Sequence, residues 1–350
     1  MCGNNEKVLL AKQLKGQRLV IPDMRQIFAH WPSGHNEYFK EGKQIVDERI
    51  AVEDMSGDIR NTFRNTNPAL LASTWWPAAP RKQYLILTDF VYWFMYWDDQ
   101  IKGLNRDPKG AEALRNGTKL LLQKSMGFAS DQQHVPISDP IILSFKSVAE
   151  EVCAVYDEEQ RKLLVSHFER YIDSTVLEAG SELSDKLPTL DRYWEVRTLT
   201  SGMGTIMSFC EFAAQVRLPS EVVNSEAYEK LWITTIVINS IVNDLISFKK
   251  EMKAGSVLSS VAILFHSLHN LDAAVAASID HLRRLVDVFD CTADALLSST
   301  SRSPEDRDAI AKVIDTMRMM NTGNLDWSLA APRYGVTSHI KEDGHIDLVL

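Results

Sequence analysis

Glycine and proline are scarce in this chain. Its 350 residues include 16 glycines and 12 prolines, whereas average usage of roughly 12% for the two together would give about 42. Propellers and multi-stranded sandwiches need these residues at their many turns, and collagen-like or low-complexity chains need far more of them. The scarcity argues against all of these classes and favours long helices.

Cysteine is also rare, and its four occurrences are far apart in the sequence: Cys2, Cys153, Cys210 and Cys291. No CxxC pair or neighbouring histidine accompanies them, so neither a zinc site nor a disulfide framework is indicated. The amino terminus lacks the apolar core of a signal peptide, and no apolar run reaches membrane-spanning length. We therefore expect a soluble, cytoplasmic protein that has no membrane partner.

The chain has no excess of positive charge. It contains 38 lysines and arginines against 47 acidic residues, a formal net charge of −9. Nucleic acids and anionic membranes bind basic surfaces, so neither is expected as the main partner. A small anionic substrate fits this balance only if cations are recruited to meet it.

Helical hydrophobic periodicity dominates from about residue 37 onward. We predict one all-α domain of about ten to twelve helices over residues 36–340. An N-terminal arm (residues 1–35) with a strand-like LVIPDM segment precedes it, and a C-terminal tail (residues 341–350) follows it. Neither an internal repeat nor a linker-like stretch divides the domain.

Two predicted helices have an unusual composition. Seven of the fourteen residues from Tyr84 to Trp97 are aromatic, and Asp98 and Asp99 follow directly. The second helix, residues 231–251, is apolar on most sides. Four polar residues interrupt it: Asn239, Asn243, Asp244 and Ser247. Buried polar groups need partners, and adjacent carboxylates repel each other unless a cation lies near them.

Asn243, Ser247 and Glu251 are spaced four residues apart, which places them on one face of a helix. An amide oxygen, a hydroxyl and a carboxylate form the all-oxygen ligand set that hard cations such as Mg²⁺ prefer, often together with phosphate oxygens. Taken singly, this motif is also explained by a solvated polar stripe, and Asp98-Asp99 by a solvated helix end. If the two helices face each other, they enclose an aromatic-lined cavity closed at one end by metal-binding oxygens.

These motifs, in this order, resemble those of class I terpene synthases (terpene cyclases) of the microbial, single-domain sesquiterpene type. The resemblance covers roughly residues 70–335. The aspartate-rich motif is matched by residues 98–102, and the second metal motif is complete from Asn243 to Glu251. Arg197, 46 residues before Asn243, matches the diphosphate-sensing arginine of the family, and Arg333-Tyr334 matches its Arg-Tyr pair. One departure is Lys102, which stands where the family usually has a third acid and weakens a metal role for Asp99.

The resemblance implies the class I terpenoid synthase fold, a helical bundle around a central apolar cavity. It also implies an enzyme that ionises farnesyl diphosphate, releases diphosphate and cyclises the carbocation to a sesquiterpene hydrocarbon or alcohol. Three Mg²⁺ ions, replaceable by Mn²⁺, would be held by Asp98, Asn243, Ser247 and Glu251, with Asp99 as a further candidate. Substrate phosphates would be bound by Arg197, Lys250, Arg333 and Tyr334. The catalytic set implied is Asp98, Arg197, Asn243, Ser247, Glu251, Arg333 and Tyr334.

Seven further residues are candidates for the cavity wall: Phe90, Phe94, Trp76, Trp327, Thr200, Ser201 and Gly202. Aromatic faces stabilise carbocations without reacting with them, although each ring is also explained as ordinary core. Gly202 and Gly204 are disfavoured in a helix interior, so we predict a break after Arg197. A packing glycine where two helices cross closely is the other interpretation.

Three other functions are weighed against a sesquiterpene cyclase. A diterpene (C20) cyclase shares the fold and the motifs. A chain-elongating prenyl diphosphate synthase should carry a second DDxxD where this chain has its Asn/Ser/Glu motif. A non-catalytic helical relic is favoured by Lys102 alone. The protein is expected to be a monomer or a homodimer.

Overall fold

The computed structural model describes residues 5–53, 55–130, 132–298 and 302–350, so Cys2 lies outside the described residues. Within these ranges the regular structure comprises seventeen α-helices, two short strands and two 3₁₀ turns (Met24–Gln26 and Thr337–His339). The helices are α1 (Glu6–Leu14), α2 (Phe39–Val52), α3 (Gly57–Thr66), α4 (Pro68–Trp75), α5 (Arg81–Gly103), α6 (Pro108–Ser125), α7 (Pro140–Leu143), α8 (Phe145–Cys153), α9 (Glu158–Leu183), α10 (Leu190–Thr200), α11 (Met203–Met207), α12 (Cys210–Ala214), α13 (Ser220–Val223), α14 (Glu226–Lys253), α15 (Ser260–Leu268), α16 (Leu271–Leu297) and α17 (Pro304–Ala330). The strands are β1 (Arg18–Ile21) and β2 (Ile346–Val349). The all-α fold class is confirmed.

The helix count exceeds the ten to twelve predicted because several periodic stretches are interrupted. The predicted break after Arg197 is present: Gly202 has φ +73° and separates α10 from α11. A second interruption, at Ser208 and Phe209, separates α11 from α12. Since neither residue is glycine or proline, the composition contains no signal for it.

The helix α14 forms the centre of the bundle. It packs against α10, α11, α15, α16 and α17. By length and composition it could cross a membrane, but 83% of its apolar stretch is buried inside the protein. It is therefore a core helix, and the polar side chains in its middle need partners within the protein.

The helix α5 supplies the aromatic part of the core. Its Phe90 ring lies 4.2 Å from the ring of Phe209 and 5.9 Å from that of Phe168, measured between centroids. The helix continues through residues 98–102 to Gly103. The acidic motif therefore lies in the last turns of α5. The sequence had suggested that the motif follows the end of the aromatic helix.

The helices α4 and α17 touch at a glycine. A Cβ atom at Gly323 would lie 2.1 Å from the carbonyl oxygen of Thr74, a distance that no side chain permits. Glycine is therefore required for this close backbone approach. The crossing places the carboxyl end of α4, including Trp75, beside the part of α17 that carries Asn324.

The two ends of the chain meet on the outside of the bundle. Strands β1 and β2 pair antiparallel, with Arg18 opposite Val349 and Ile21 opposite Ile346. The guanidinium of Arg18 lies 2.7 Å from the carboxylate of Asp347. The predicted arm and tail thus form one small sheet, and the arm also contains α1, which the sequence pattern did not indicate.

Candidate active site

Two adjoining cavities open between α5, α10, α14 and the end of α17. The first, called here the chamber, has a volume of about 150 Å³, and its apolar lining includes Leu71, Trp75, Phe90, Phe94, Met203, Ile206 and Trp327. The second, called here the polar compartment, has about 330 Å³ and is lined by residues such as Glu178, Tyr193, Ser247, Lys250 and Glu251. Seven residues line both: Asp99, Lys102, Arg197, Thr200, Asn243, Arg333 and Tyr334. An apolar space therefore opens directly into a charged one.

Asp98 is held by an ion pair and a hydrogen bond. The ammonium of Lys102, one turn along α5, lies 2.8 Å from one carboxylate oxygen, and the Tyr171 hydroxyl donates to the other at 2.6 Å. Burial acts to raise the pKa of Asp98, but Lys102 and Tyr171 outweigh it and hold the pKa below its usual value. Lys102 also lies 3.7 Å from Glu178, whose pKa is raised by burial. Lys102 thus neutralises an acidic site.

Arg197 connects α10 to the metal motif on α14. Its Nη2 donates to Oδ1 of Asn243 at 2.7 Å and lies 3.4 Å from the carboxylate of Asp244. The Asn243 Nδ2 in turn donates to the Tyr334 hydroxyl at 3.0 Å. One hydrogen-bonded chain therefore links Arg197, Asn243 and Tyr334, which are far apart in the sequence.

Asp244 supports this arrangement through its contact with Arg197. Its side chain is only 3% exposed, and one carboxylate oxygen accepts from the Tyr193 hydroxyl at 2.7 Å. The same oxygen accepts from the backbone N–H and the hydroxyl of Ser260, at 2.8 and 2.7 Å. With all these partners, Asp244 is a structural anion that fixes Arg197, and it is not free to bind a ligand.

Ser247 and Glu251 complete the predicted face of α14. The Ser247 hydroxyl donates to the Glu251 carboxylate at 2.6 Å, and both line the polar compartment. Burial and the nearby charge of Asp244 raise the pKa of Glu251. Lys250 lies 5.8 Å from the centre of the Tyr334 ring, and burial together with Arg333 lowers its pKa to about 8.

Arg333 and Trp327 reach the site from the end of α17. The Arg333 guanidinium donates to the Thr66 hydroxyl at 2.6 Å, and the indole N–H of Trp327 donates to the Thr66 carbonyl at 2.7 Å. The Trp327 ring meets Tyr334 edge to face at 5.4 Å. Thr66, the last residue of α3, therefore fixes both side chains beside the chamber.

The helix break lies against the chamber. Thr200 and Ser201 line it, whereas Gly202, which was also predicted at the cavity wall, does not and lines a separate pocket. Gly202 packs directly on Phe94: an added Cβ would lie 2.5 Å from the Cζ of that ring. Both interpretations of the glycine hold, because it has a left-handed backbone and also permits a close crossing of α5.

The prediction for Trp76 is wrong. Trp76 is buried among Ala79, Ala213 and Met319, at a separate pocket on the far side of α4. Its neighbour Trp75 lines the chamber. Adjacent residues of a helix point about 100° apart, so the two neighbouring rings at the end of α4 lie on different sides.

The residues around the cavities that were not predicted as site residues include Trp75 and five polar ones: Tyr171, Glu178, Asp244, Asn239 and Asn324. Of these five, two lie on α9 and two on α14. The first two belong to the amphipathic helix α9, whose pattern marks no site. The signal for Asp244 and Asn239 was present in the sequence, because both are polar residues in an apolar helix. Asn324 carried no signal of its own.

The donor set suits a hard divalent cation. Among the described residues no three His, Cys, Asp or Glu side chains cluster as a metal site. The amide oxygen of Asn243, the Ser247 hydroxyl and the Glu251 carboxylate instead form a mixed oxygen set on one face of α14, across the compartment from Asp99. Oxygen-only ligands of this kind fit Mg²⁺ and exclude soft, sulfur-seeking metals.

Comparison with known proteins agrees with this geometry. The sesquiterpene cyclase hepA of Aspergillus oryzae is 26% identical, and the match spans 99% of this chain and 97% of that protein. The germacrene A synthase of Nostoc punctiforme is also 26% identical, over 75% of this chain and 80% of its own length.

A solved structure shows the same fold. The crystal structure of germacradien-4-ol synthase from Streptomyces citricolor superposes with a TM-score of 0.70 at 20% identity, covering 85% of this chain and 96% of that one. The family model described as "Terpene synthase family 2, C-terminal metal binding" matches residues 89–288, more than half of the chain. The chain therefore belongs to terpene synthase family 2.

Proposed function

We propose that this protein is a Mg²⁺-dependent sesquiterpene cyclase. It ionises farnesyl diphosphate, releases diphosphate and cyclises the carbocation to a sesquiterpene hydrocarbon or alcohol. One observation carries the proposal: the aromatic chamber opens directly into the polar compartment, and the same seven residues line both. A substrate with an apolar chain and an anionic head needs this pairing of spaces.

The polar compartment is suited to the diphosphate. Arg197, Arg333 and Tyr334 lie at its junction with the chamber, and Lys250 lines the compartment itself. Arginine offers paired N–H donors to phosphate oxygens, and such charge-assisted hydrogen bonds are roughly twice as strong as neutral ones. Asp244 keeps Arg197 in place while the arginine exchanges the Asn243 oxygen for a phosphate oxygen.

Asp98, Asn243, Ser247 and Glu251 would hold divalent cations, with Asp99 as a further ligand. Bound Mg²⁺ supplies Lewis acidity that draws charge onto the leaving diphosphate. We propose three ions, as the family resemblance implies, with Mn²⁺ as a substitute. Asp98 would exchange the Lys102 ammonium for a cation, and Ser247 would bind one through its oxygen lone pairs while its O–H still donates to Glu251.

The chamber protects the carbocation. Phe90 and Phe94 on α5 and Trp327 on α17 are all buried, and all three line it. Each aromatic face stabilises a nearby cation by about 0.5–2 kcal/mol and offers no lone pair to react. The rings therefore favour cyclisation over premature capture by solvent.

The C15 substrate is supported by the relatives, whose names describe sesquiterpene products. The test is to incubate the protein with farnesyl diphosphate and Mg²⁺ and to analyse the organic extract by gas chromatography. We expect a cyclic C15 product that disappears with a chelator and returns with added Mg²⁺. Parallel assays with the C10 and C20 diphosphates test whether the substrate has a different chain length. An assay with farnesyl plus isopentenyl diphosphate tests for an elongating synthase. If none of these assays gives a product, the cyclase proposal is refuted.

We also propose that the protein is cytoplasmic and is a monomer or a homodimer.

Replacing Lys102 by methionine should lower the thermal stability of the protein and make that stability depend more strongly on Mg²⁺. The substitution leaves Asp98, Asp99 and Glu178 without their neighbouring cation, and clustered carboxylates repel one another. We expect a lower melting temperature without Mg²⁺ and a larger rise on adding it than in the wild type, measured by thermal denaturation.

The matched control for this prediction is Lys119→Met, which removes a lysine 2.8 Å from Asp173 at the surface. Exposed pairs contribute about 0–1 kcal/mol, so its melting temperature should change little with or without Mg²⁺. An unchanged Mg²⁺ response in the Lys102 variant would show that Lys102 does not substitute for a metal at Asp98.

A further inference from the structure

One wall of the chamber carries a polar atom that has no protein partner. Asn239 on α14 is 3% exposed and lines the chamber, and its Oδ1 accepts no hydrogen bond from the described residues. Its Nδ2 donates to the Thr235 carbonyl at 3.1 Å and to Oδ1 of Asn321 at 2.6 Å. The orientation is fixed, because the Nδ2 of Asn321 donates to the Met317 carbonyl and leaves only its oxygen for Asn239.

A second unpartnered atom lies on a neighbouring residue of the same chamber. Trp75 is 4% exposed and lines the chamber, and its indole N–H has no acceptor among the described residues. Leaving a buried donor or acceptor unpaired costs about 1–3 kcal/mol. The chamber thus carries an unpaired donor and an unpaired acceptor, which a single ligand with both functions would satisfy.

These two residues are brought together by α17. Asn324 donates to the Asn239 carbonyl at 3.3 Å and also lines the chamber. Its neighbour Gly323 is in contact with Thr74, the residue before Trp75. Asn239 and the residue before Trp75 therefore contact adjacent residues of α17, and Trp75 and Asn239, called here the Trp75–Asn239 patch, line the same small chamber.

Several other polar groups of the chamber are already engaged. The Ser240 hydroxyl donates to the Ile236 carbonyl at 2.9 Å, and the Ser201 hydroxyl accepts from the Met203 N–H at 3.3 Å. Arg197 donates to Asn243 through Nη2, and its Nε is a further buried donor that has no partner among the described residues. The Oδ1 of Asn239 differs from these groups because it is an acceptor that still needs a donor.

We propose that Trp75 and Asn239 bind one water molecule in the chamber, and that this water captures the final carbocation. The inference rests on the proposed function and specifies its product as a terpene alcohol. A water that accepts from Trp75 and donates to Asn239 keeps one lone pair free, and that pair is the nucleophile. A polar site with two or more partners is what an internal water requires.

The reaction balances without any further reactant. The bond between carbon and the diphosphate oxygen breaks, and both electrons leave with the diphosphate. The water lone pair forms the new C–O bond to the cyclised cation. The surplus proton of the resulting oxonium passes to the released diphosphate. One substrate and one water thus give one alcohol and one protonated diphosphate.

The experiment is turnover of farnesyl diphosphate with Mg²⁺ in ¹⁸O-labelled water, with products analysed by gas chromatography and mass spectrometry. We expect a C15 alcohol as main product, carrying the solvent label. Cyclic hydrocarbons without alcohol would overturn this inference and leave the proposed cyclase intact. Absence of any product would overturn the proposed function itself.

Variants test the residues. Trp75→Phe keeps an aromatic ring, removes the N–H and makes the ring system smaller, and should lower the ratio of alcohol to hydrocarbon roughly three- to tenfold. Asn239→Leu should act in the same direction, but it also deprives Asn321 of its donor, so Trp75→Phe is the decisive change if the leucine variant fails to fold. The matched control is Trp76→Phe, whose indole N–H is also buried and unpartnered but faces the separate pocket. An unchanged ratio in Trp75→Phe, or an equal change in Trp76→Phe, would refute the assignment.

Discussion

Replacing Glu251 or Asn243 by alanine is expected to lower turnover of farnesyl diphosphate by at least about 10²–10³-fold, the range seen when one preorganised stabilising group is removed. Either change removes one of the three oxygens on the same face of α14. Asn243→Ala also removes the acceptor of Arg197 and the donor to Tyr334. The asparagine variant should therefore lose at least as much activity as the glutamate variant.

Both effects should be seen in the rate of product formation at saturating Mg²⁺, while circular dichroism shows an unchanged helical content. Glu229→Gln is the matched control, because Glu229 is an exposed acid on the same helix and lies outside both cavities. It should retain full activity. If either alanine variant turns over at the wild-type rate, the Asn/Ser/Glu face is not the metal site.

The metal face of α14 could be predicted from the sequence because helix geometry alone determines it. Residues four apart share a face in any α-helix, and the apolar residues around Asn243 and Ser247 indicate an interior position. That Asp98 and Arg197 lie at the same cavity came from the resemblance to a family. Periodicity gives the face of each helix, and it does not give the helix that packs against it.

The partners of these residues could not be predicted for the same reason. Asp244 is satisfied by Tyr193 on α10 and Ser260 on α15, two elements that only the tertiary fold brings together. Trp75 and Trp76 are adjacent, and which one lines the chamber depends on how α4 packs against α5 and α17. The end of α15 shows the same limit: His269 has φ +53°, a conformation rare for residues other than glycine, so the sequence predicts no interruption there.

Substituting Gly202 by alanine is expected to destabilise the protein by about 2–5 kcal/mol, since a left-handed residue with a side chain costs about 1–2 kcal/mol and an overpacked core about 1–3 kcal/mol. Gly202 has φ +73°, and the new methyl group would lie 2.5 Å from Phe94. The Phe94 ring packs 5.1 Å from that of Tyr171, whose hydroxyl binds Asp98. Relief of the clash therefore displaces a chamber wall and the support of an acidic ligand, and turnover should fall with stability.

The comparison with Gly204→Ala separates this local strain from a general effect of adding a methyl group near the helix break. Gly204 lies inside α11, and an added Cβ would come no closer than 3.6 Å to Trp232, an ordinary contact. Alanine there should be neutral or stabilise the helix by up to about 1 kcal/mol. Denaturant unfolding of both variants measures the difference, and activity is assayed below their midpoints. Equal stability of the two variants would mean that neither the left-handed backbone nor the contact with Phe94 constrains position 202; a loss confined to Gly202→Ala would tie the helix break to the geometry of the chamber.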